Sequence, residues 1–106
     1  MRIWRNLKQN KELLNQAAKS GAFIIFDTET TGLTENDQMI EFAAYKCKFY
    51  KKEFRPYEIK HLYIKPDKEV PEKITKINGI TNEFLSDKPS EREVFNAIRD
   101  FLGENP

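Results

Sequence analysis

Apolar residues recur at helical spacing near the start of the chain. Ile3, Trp4, Leu7, Leu14, Ala17 and Ala18 predict a helix over about residues 6–19, with Ser20-Gly21 as its stop. A short unbroken apolar run follows, Ala22-Phe23-Ile24-Ile25-Phe26-Asp27, bounded by glycine and polar residues. That is the pattern of a central strand buried on both faces. Residues 28–37 are polar, contain Gly32 and read as a loop. A second strand is expected over 39–49, a turn over 51–56 and a third strand over 57–64, where Tyr57, Ile59 and His61 alternate with Glu58, Lys60 and Leu62. Short connections between neighbouring strands favour an antiparallel meander, which Pro66 ends. Residues 71–77 read as a short helix with Pro71 at its start, broken by Asn78-Gly79, and Thr81 caps a turn reaching Leu85. Ser90-Glu91-Arg92-Glu93 is a capping box that opens the clearest helix. Val94, Phe95, Ile98, Phe101 and Leu102 give that helix one apolar stripe, and Gly103 ends it.

At 106 residues the chain has the size of one domain. Charged residues make up 33% and the mean hydropathy is −0.73, yet 12% aromatics can still build a core, which argues against wholesale disorder. No run of eighteen apolar residues exists, so no membrane is expected as a partner. The first residues lack the apolar stretch and cleavage site of a secretory signal. A single cysteine, Cys47, excludes an internal disulfide framework and a CxxC zinc site, which makes a reducing, cytoplasmic setting the expectation. The net charge of +1 hides an asymmetry: residues 46–76 hold ten Lys or Arg against five Asp or Glu, while the remainder nets −4. A basic stretch can attract nucleic acid. The plainer alternative is a solvated strand pair whose lysines guard an edge against mispairing.

The chemistry concentrates in Phe26-Asp27-Thr28-Glu29-Thr30-Thr31-Gly32-Leu33. In extended chain, residues two apart point to one face, so Asp27 and Glu29 converge at the end of the first strand. Two ionised acids so placed repel each other, and a hard divalent cation compensates them. Two such cations can activate water and stabilise the leaving oxygen in phosphodiester cleavage. From the Asp-x-Glu spacing alone, the alternative is that both acids cap the next element or face water at the strand mouth. The hydroxyls and the glycine beside them favour the cation.

This segment resembles the first motif of the DEDD 3′–5′ exonucleases, in particular the epsilon-type proofreading subunit of bacterial DNA polymerase III. The resemblance continues through Met39-Ile40-Glu41-Phe42-Ala43-Ala44, Ile64-Lys65-Pro66, the Ile77-to-Leu85 segment with its Gly79-Ile80-Thr81, and Lys88-Pro89. It covers about residues 23–102, in the family order. It implies an α/β, RNase H-like exonuclease fold of which this chain holds the N-terminal half, a three-strand antiparallel meander with flanking helices. On that division, 1–21 is an N-terminal helix or leader, 22–103 is the N-terminal part of an exonuclease domain, and 104–106 is a truncated end. The resemblance makes Asp27 and Glu29 catalytic, metal-binding acids for two divalent cations, Mg²⁺ or Mn²⁺. It sets Thr30 by the terminal 3′ nucleotide and Leu33 against or beside the last base. Asn78 stands where many relatives carry a histidine near the substrate.

The family's remaining acids, two Asp, and its general base, His or Tyr, belong to motifs beyond the last helix. The expectation is therefore an incomplete site: a parent protein that removes nucleotides from DNA or RNA 3′ ends, and a 106-residue segment nearly inactive alone. A DNA polymerase subunit is the implied protein partner. The first strand keeps an exposed apolar edge, which predicts self-association. His61, the single histidine, reads as a strand residue rather than the base, Glu41 as a hydrogen-bonding residue of the sheet, and Cys47, Trp4 and Tyr45 as packing. Two other classes stay open: a degenerate exonuclease-like module that binds a polymerase or nucleic acid without catalysis, and a nucleic-acid-binding fragment built on the lysine-rich stretch.

Overall fold

The hydrophobic alternation of the middle of the chain becomes a three-stranded sheet: β1 (Ala22–Thr30), β2 (Met39–Tyr50) and β3 (Glu53–Tyr63), in the order β1-β2-β3. Three helices follow, α1 (Glu72–Asn78), α2 (Asn82–Leu85) and α3 (Glu91–Leu102). This computed structural model describes residues 21–103 together with Glu12, Asn15, Gln16 and Lys19, which are helical and exposed. The rest of the expected leading helix, and Trp4 with it, lies outside the described residues.

The meander is antiparallel, as expected. The Phe49 amide donates to the Gly21 carbonyl, and the Ile64 amide to that of Ile40. Three details differ from the sequence expectation. First, β1 runs on through Thr30, because Thr28 and Thr30 are β-branched and continue the extended run; the loop starts only at Thr31. Second, β1 is not buried on both faces. It is an outer strand of the order, its Phe23, Ile24 and Ile25 are half-buried, and Phe26 is 59% exposed. Third, the turn after β2 shrinks to Lys51-Lys52, both with positive φ (50° and 65°), so β3 begins at Glu53. Paired positive φ values suit the two-residue hairpin, whose twist matches the strands. Pro56 is accommodated within β3 because that strand is also an outer one.

The described residues form two compact units, and the division falls within each strand. The first takes Ala43–Lys60 with the described part of Met1–Asp27. Ala43, Ala44 and Cys47 are buried there, and Phe54 packs its ring against Phe23 (centroids 5.1 Å apart, edge-on) and Phe49 (5.0 Å). Burial pushes the Cys47 thiol above its ordinary pKa, which fits a packing residue and not a nucleophile. Tyr45 is half-buried on β2.

The second unit takes Thr28–Phe42 with the described part of His61–Pro106. Its core joins Ile40 of β2 to Val70, Ile80 and Leu85, with Tyr63 and Ile74 packed against them. Local polar bonds fix the short helices that supply those residues. Pro71 stands just before α1, and Gly79 ends it in the left-handed conformation (φ 76°). Thr75 donates its hydroxyl to the Ile80 carbonyl, and the Asn82 side-chain amide both accepts from and donates to the Val70 backbone. Thr81 and Ser90 cap α2 and α3 through their hydroxyls, as the sequence predicted. Of the predicted stripe on α3, Val94 and Phe101 are buried and Ile98 and Leu102 half-buried. Phe95 is 59% exposed, because it follows Val94 by one residue and so lies about 100° further round the helix.

Candidate active site

Threonine hydroxyls and one aspartate organise the loop that leaves β1. The Thr31 amide donates to the Gln38 carbonyl at 2.9 Å, and the Gln38 amide returns to the Thr31 hydroxyl at 2.9 Å. Asp37 closes the loop from inside. Its Oδ1 accepts from the Thr31 hydroxyl at 2.8 Å, and its Oδ2 accepts from the Thr34 amide at 2.9 Å and hydroxyl at 2.8 Å. Gln38 then anchors the base of the loop: its Oε1 accepts from the Asp67 amide at 2.6 Å, and its Nε2 donates to the Asp67 carboxylate at 3.2 Å.

Gly32 is needed for this arrangement for a steric reason. A Cβ there would stand 2.5 Å from Asp37 Oδ2 and 2.7 Å from its Cγ. The Asp37 carboxylate is held by its bonds to Thr31 and Thr34 and cannot simply swing away. Gly32→Ala is therefore expected to expel it, speeding amide exchange at Thr34 and Gln38 by about tenfold, on the order of one lost hydrogen bond. Unchanged protection would contradict the steric argument.

The Thr34 amide, then the Thr34 and Thr31 hydroxyls, hold the Asp37 carboxyl below its ordinary pKa. Depression of a carboxyl means the native loop favours its ionised form. The stabilisation is complete above the ordinary carboxylate value, about pH 4, and drains as pH falls through the lower folded value. Loop 31–38 is expected to resist proteolysis at pH 5 and above and to become cleavable in more acid solution. Asp37→Asn, which cannot ionise, should remove that pH dependence.

The sequence-predicted site residues fall along β1, this loop and α1. Asp27 lies on β1 in the first unit; Glu29 and Thr30 lie on β1 in the second, and all three are half-buried. Thr30 donates its hydroxyl to the Gly32 carbonyl, which commits it to the loop's conformation. Leu33 stands fully exposed at the loop's tip. Asn78 ends α1, and its Oδ1 accepts from the Ile80 amide at 2.9 Å, so half of its amide is used to shape the Gly79 turn.

Hard carboxylate oxygens suit Mg²⁺ or Mn²⁺, and Asp27 and Glu29 provide them. Among the described residues no group of three or more His, Cys, Asp or Glu is placed to hold a metal ion. Two carboxylates are donors of the kind a hard cation takes, and they are fewer than its full ligand set.

Sequence reasoning missed Asp37 and Gln38. A signal was present in the Thr34-x-x-Asp37 spacing, which suits a side chain closing a turn on backbone and hydroxyl donors. Glu41 is a sheet residue that hydrogen-bonds, as expected. Its Oε2 meets His61 Nε2 at 2.6 Å, and Tyr63 donates its hydroxyl to it. Burial first, then the charge and hydrogen bond of Glu41, raise the Tyr63 phenol pKa. Tyr63 in turn packs edge-on against Phe84, with centroids 4.8 Å apart.

Comparison with known proteins places the chain in a family. The family model RNase_T, described as exonuclease, matches residues 24–105, and the chain belongs to that family. It is 38% identical over 89 residues to the DNA polymerase III subunit epsilon of Buchnera aphidicola, covering 72% of this chain and 36% of that protein. It is 37% identical over 93 residues to the PolC-type DNA polymerase III of Mycoplasma genitalium, covering 85% of this chain and 6% of that protein. The chain thus spans about a third of the epsilon subunit and a small part of PolC. Among solved structures it is similar to the nuclease domain of 3′hExo, a DEDDh family member bound to rAMP, with TM-score 0.63 and 18% identity over 77% of this chain and 44% of that one. It is similar too to cell-death related nuclease 4, with TM-score 0.64 and 19% identity over 77% and 30%. The RNase H-like fold of DEDDh exonucleases, in its N-terminal part, is therefore the fold of this chain. No described helix is long and apolar enough to cross a membrane.

Proposed function

We propose that the protein carrying this chain hydrolyses nucleic acids from the 3′ end, one nucleotide at a time, in a metal-dependent reaction of the proofreading or repair type. The observation that carries the reading is the family match over residues 24–105, with Asp27-Thr28-Glu29-Thr30-Thr31-Gly32-Leu33 laid along β1 and the loop that leaves it. Asp27 and Glu29 would hold divalent cations, Mg²⁺ or Mn²⁺, which when bound activate water and stabilise the leaving 3′ oxygen. Thr30 lies beside the terminal nucleotide, where the loop bonded to Asp37 keeps it in place. Leu33, apolar and fully exposed, suits a wedge against the last base. Asn78 offers its amide nitrogen to the substrate and cannot become cationic.

Residues 22–103 form the N-terminal part of the catalytic domain in this reading, preceded by 1–21 as an N-terminal helix or leader. The remaining acids and the general base come from the rest of the domain. The substrate is a DNA or RNA 3′ end in a cytoplasmic setting, and the likeness to polymerase III subunits supports a polymerase as protein partner. The outer position of β1 supports self-association when the rest of the domain is missing. A single-stranded oligonucleotide labelled at its 5′ end, incubated with the intact protein and Mg²⁺ or Mn²⁺, tests the reading. A ladder shortening stepwise from the 3′ end is expected. Internal cuts, shortening from the 5′ end, or polymerase binding with no cleavage would replace it with another activity or with a non-catalytic module.

A further inference from the structure

The tip of the β2–β3 hairpin carries a surface that the hydrolytic site does not use. Residues 46–60 hold six Lys or Arg against Glu53 and Glu58. On β2, buried Cys47 and half-buried Phe49 alternate with exposed Lys48 and Tyr50; on β3, half-buried Phe54 is followed by exposed Arg55 and Tyr57. One side of the hairpin therefore packs its phenylalanines, and the other presents two tyrosines, 55% and 54% exposed, among cations. Lys48 Nζ lies 4.8 Å from the Tyr57 ring centre, and Lys51 and Arg55 approach the Tyr50 ring at 5.3 and 5.7 Å.

Two features go beyond an edge strand protected by charge. Protection needs lysines and gains nothing from half-exposed tyrosines. The turn itself is Lys51-Lys52 with both residues at positive φ, where Asn-Gly adopts the same shape with less strain. Lys51 and Lys52 thus place two charges at the hairpin tip in a conformation that lysine seldom adopts. Cations that meet phosphates, interleaved with aromatic rings on which bases stack, are the composition of a single-strand binding platform.

We infer that this hairpin face, built on Lys48, Tyr50, Lys51, Lys52, Arg55 and Tyr57, binds single-stranded nucleic acid through its phosphates and stacked bases. It is a contact apart from the 3′-terminal nucleotide site and independent of any hydrolytic step. A dT20 oligonucleotide with a fluorescent 5′ label and a blocked 3′ end, titrated with the purified protein in EDTA, measures it by anisotropy, so that a failed exonuclease reading leaves the result intact. Tyr50→Ala and Tyr57→Ala are each expected to weaken binding about tenfold, as loss of one stacked base does, while Tyr57→Phe keeps wild-type affinity. Replacing Lys48 and Arg55 together with glutamine is expected to make the slope of log affinity against log salt shallower by about 1.4. Wild-type affinity in both alanine variants would overturn the inference. So would no binding at low salt, or a polyglutamate peptide that competes equally well, which would mark the face as a docking surface for an acidic protein.

Discussion

Asp27→Asn in the intact protein is expected to lower the single-turnover rate of 3′-end trimming by about a thousandfold, with the fold retained. Asparagine keeps the size of the side chain but removes the charge and one hard oxygen. The cation such a carboxylate holds contributes several kcal/mol to the transition state, and about 4 kcal/mol corresponds to that factor. Glu29→Gln is expected to fall in the same range. The loss should appear in kcat far more than in KM, because the ions act on the reacting phosphate and not on the bulk of the bound strand. A variant that still trims within tenfold of wild type would remove Asp27 from the role proposed for it.

The largest effect on stability is expected at Ile40. Its side chain is fully buried against Val70, Ile80 and Leu85, so Ile40→Ala leaves a cavity among residues drawn from the segment before α1, the turn between α1 and α2, and α2. Such truncations cost about 3 kcal/mol, and the net stability of a small domain is only about 5–15 kcal/mol. The thermal midpoint is expected to drop by more than about 10 °C. Ile77→Ala makes the matched control: Ile77 stands in the last turn of α1, 81% exposed, and its truncation should cost less than about 0.5 kcal/mol. Equal losses at the two positions would show that the core has been misplaced.

What could be read from the sequence follows a physical line. Patterns carried by neighbours in the chain were legible. The strand alternation, the caps at Thr81 and Ser90 and the break at Gly79 all depend on residues within four positions of each other. The Asp27-x-Glu29 pair was equally visible, and it drew the family resemblance with it. Properties set by what covers an element were not legible. Phe23 to Phe26 suit a doubly buried strand because an apolar run looks the same whether one face or both are covered, and what covers a face comes from segments distant in the chain. Phe95 was assigned to the core stripe because a helical stripe has no sharp border in sequence. The loop after β1 was recognised as polar, but its organisation depends on Asp37 reaching back to Thr31, and on Gln38 spanning to Asp67. Pairings across 29 positions leave no local trace. The two-residue hairpin turn is hard to see in the sequence because Lys-Lys is a poor signal for the left-handed conformation it adopts.

The proposed hydrolysis rests on the carboxylates of β1 holding a divalent ion. Manganese is paramagnetic, so its free and bound forms can be counted by electron paramagnetic resonance during titration of the intact protein. Saturable binding is expected in the wild type, weakened at least tenfold by Asp27→Asn and by Glu29→Gln, and untouched by the exposed substitution Ile77→Ala. Manganese binding that ignores both acids, or none at all in a protein that still trims 3′ ends, would contradict it.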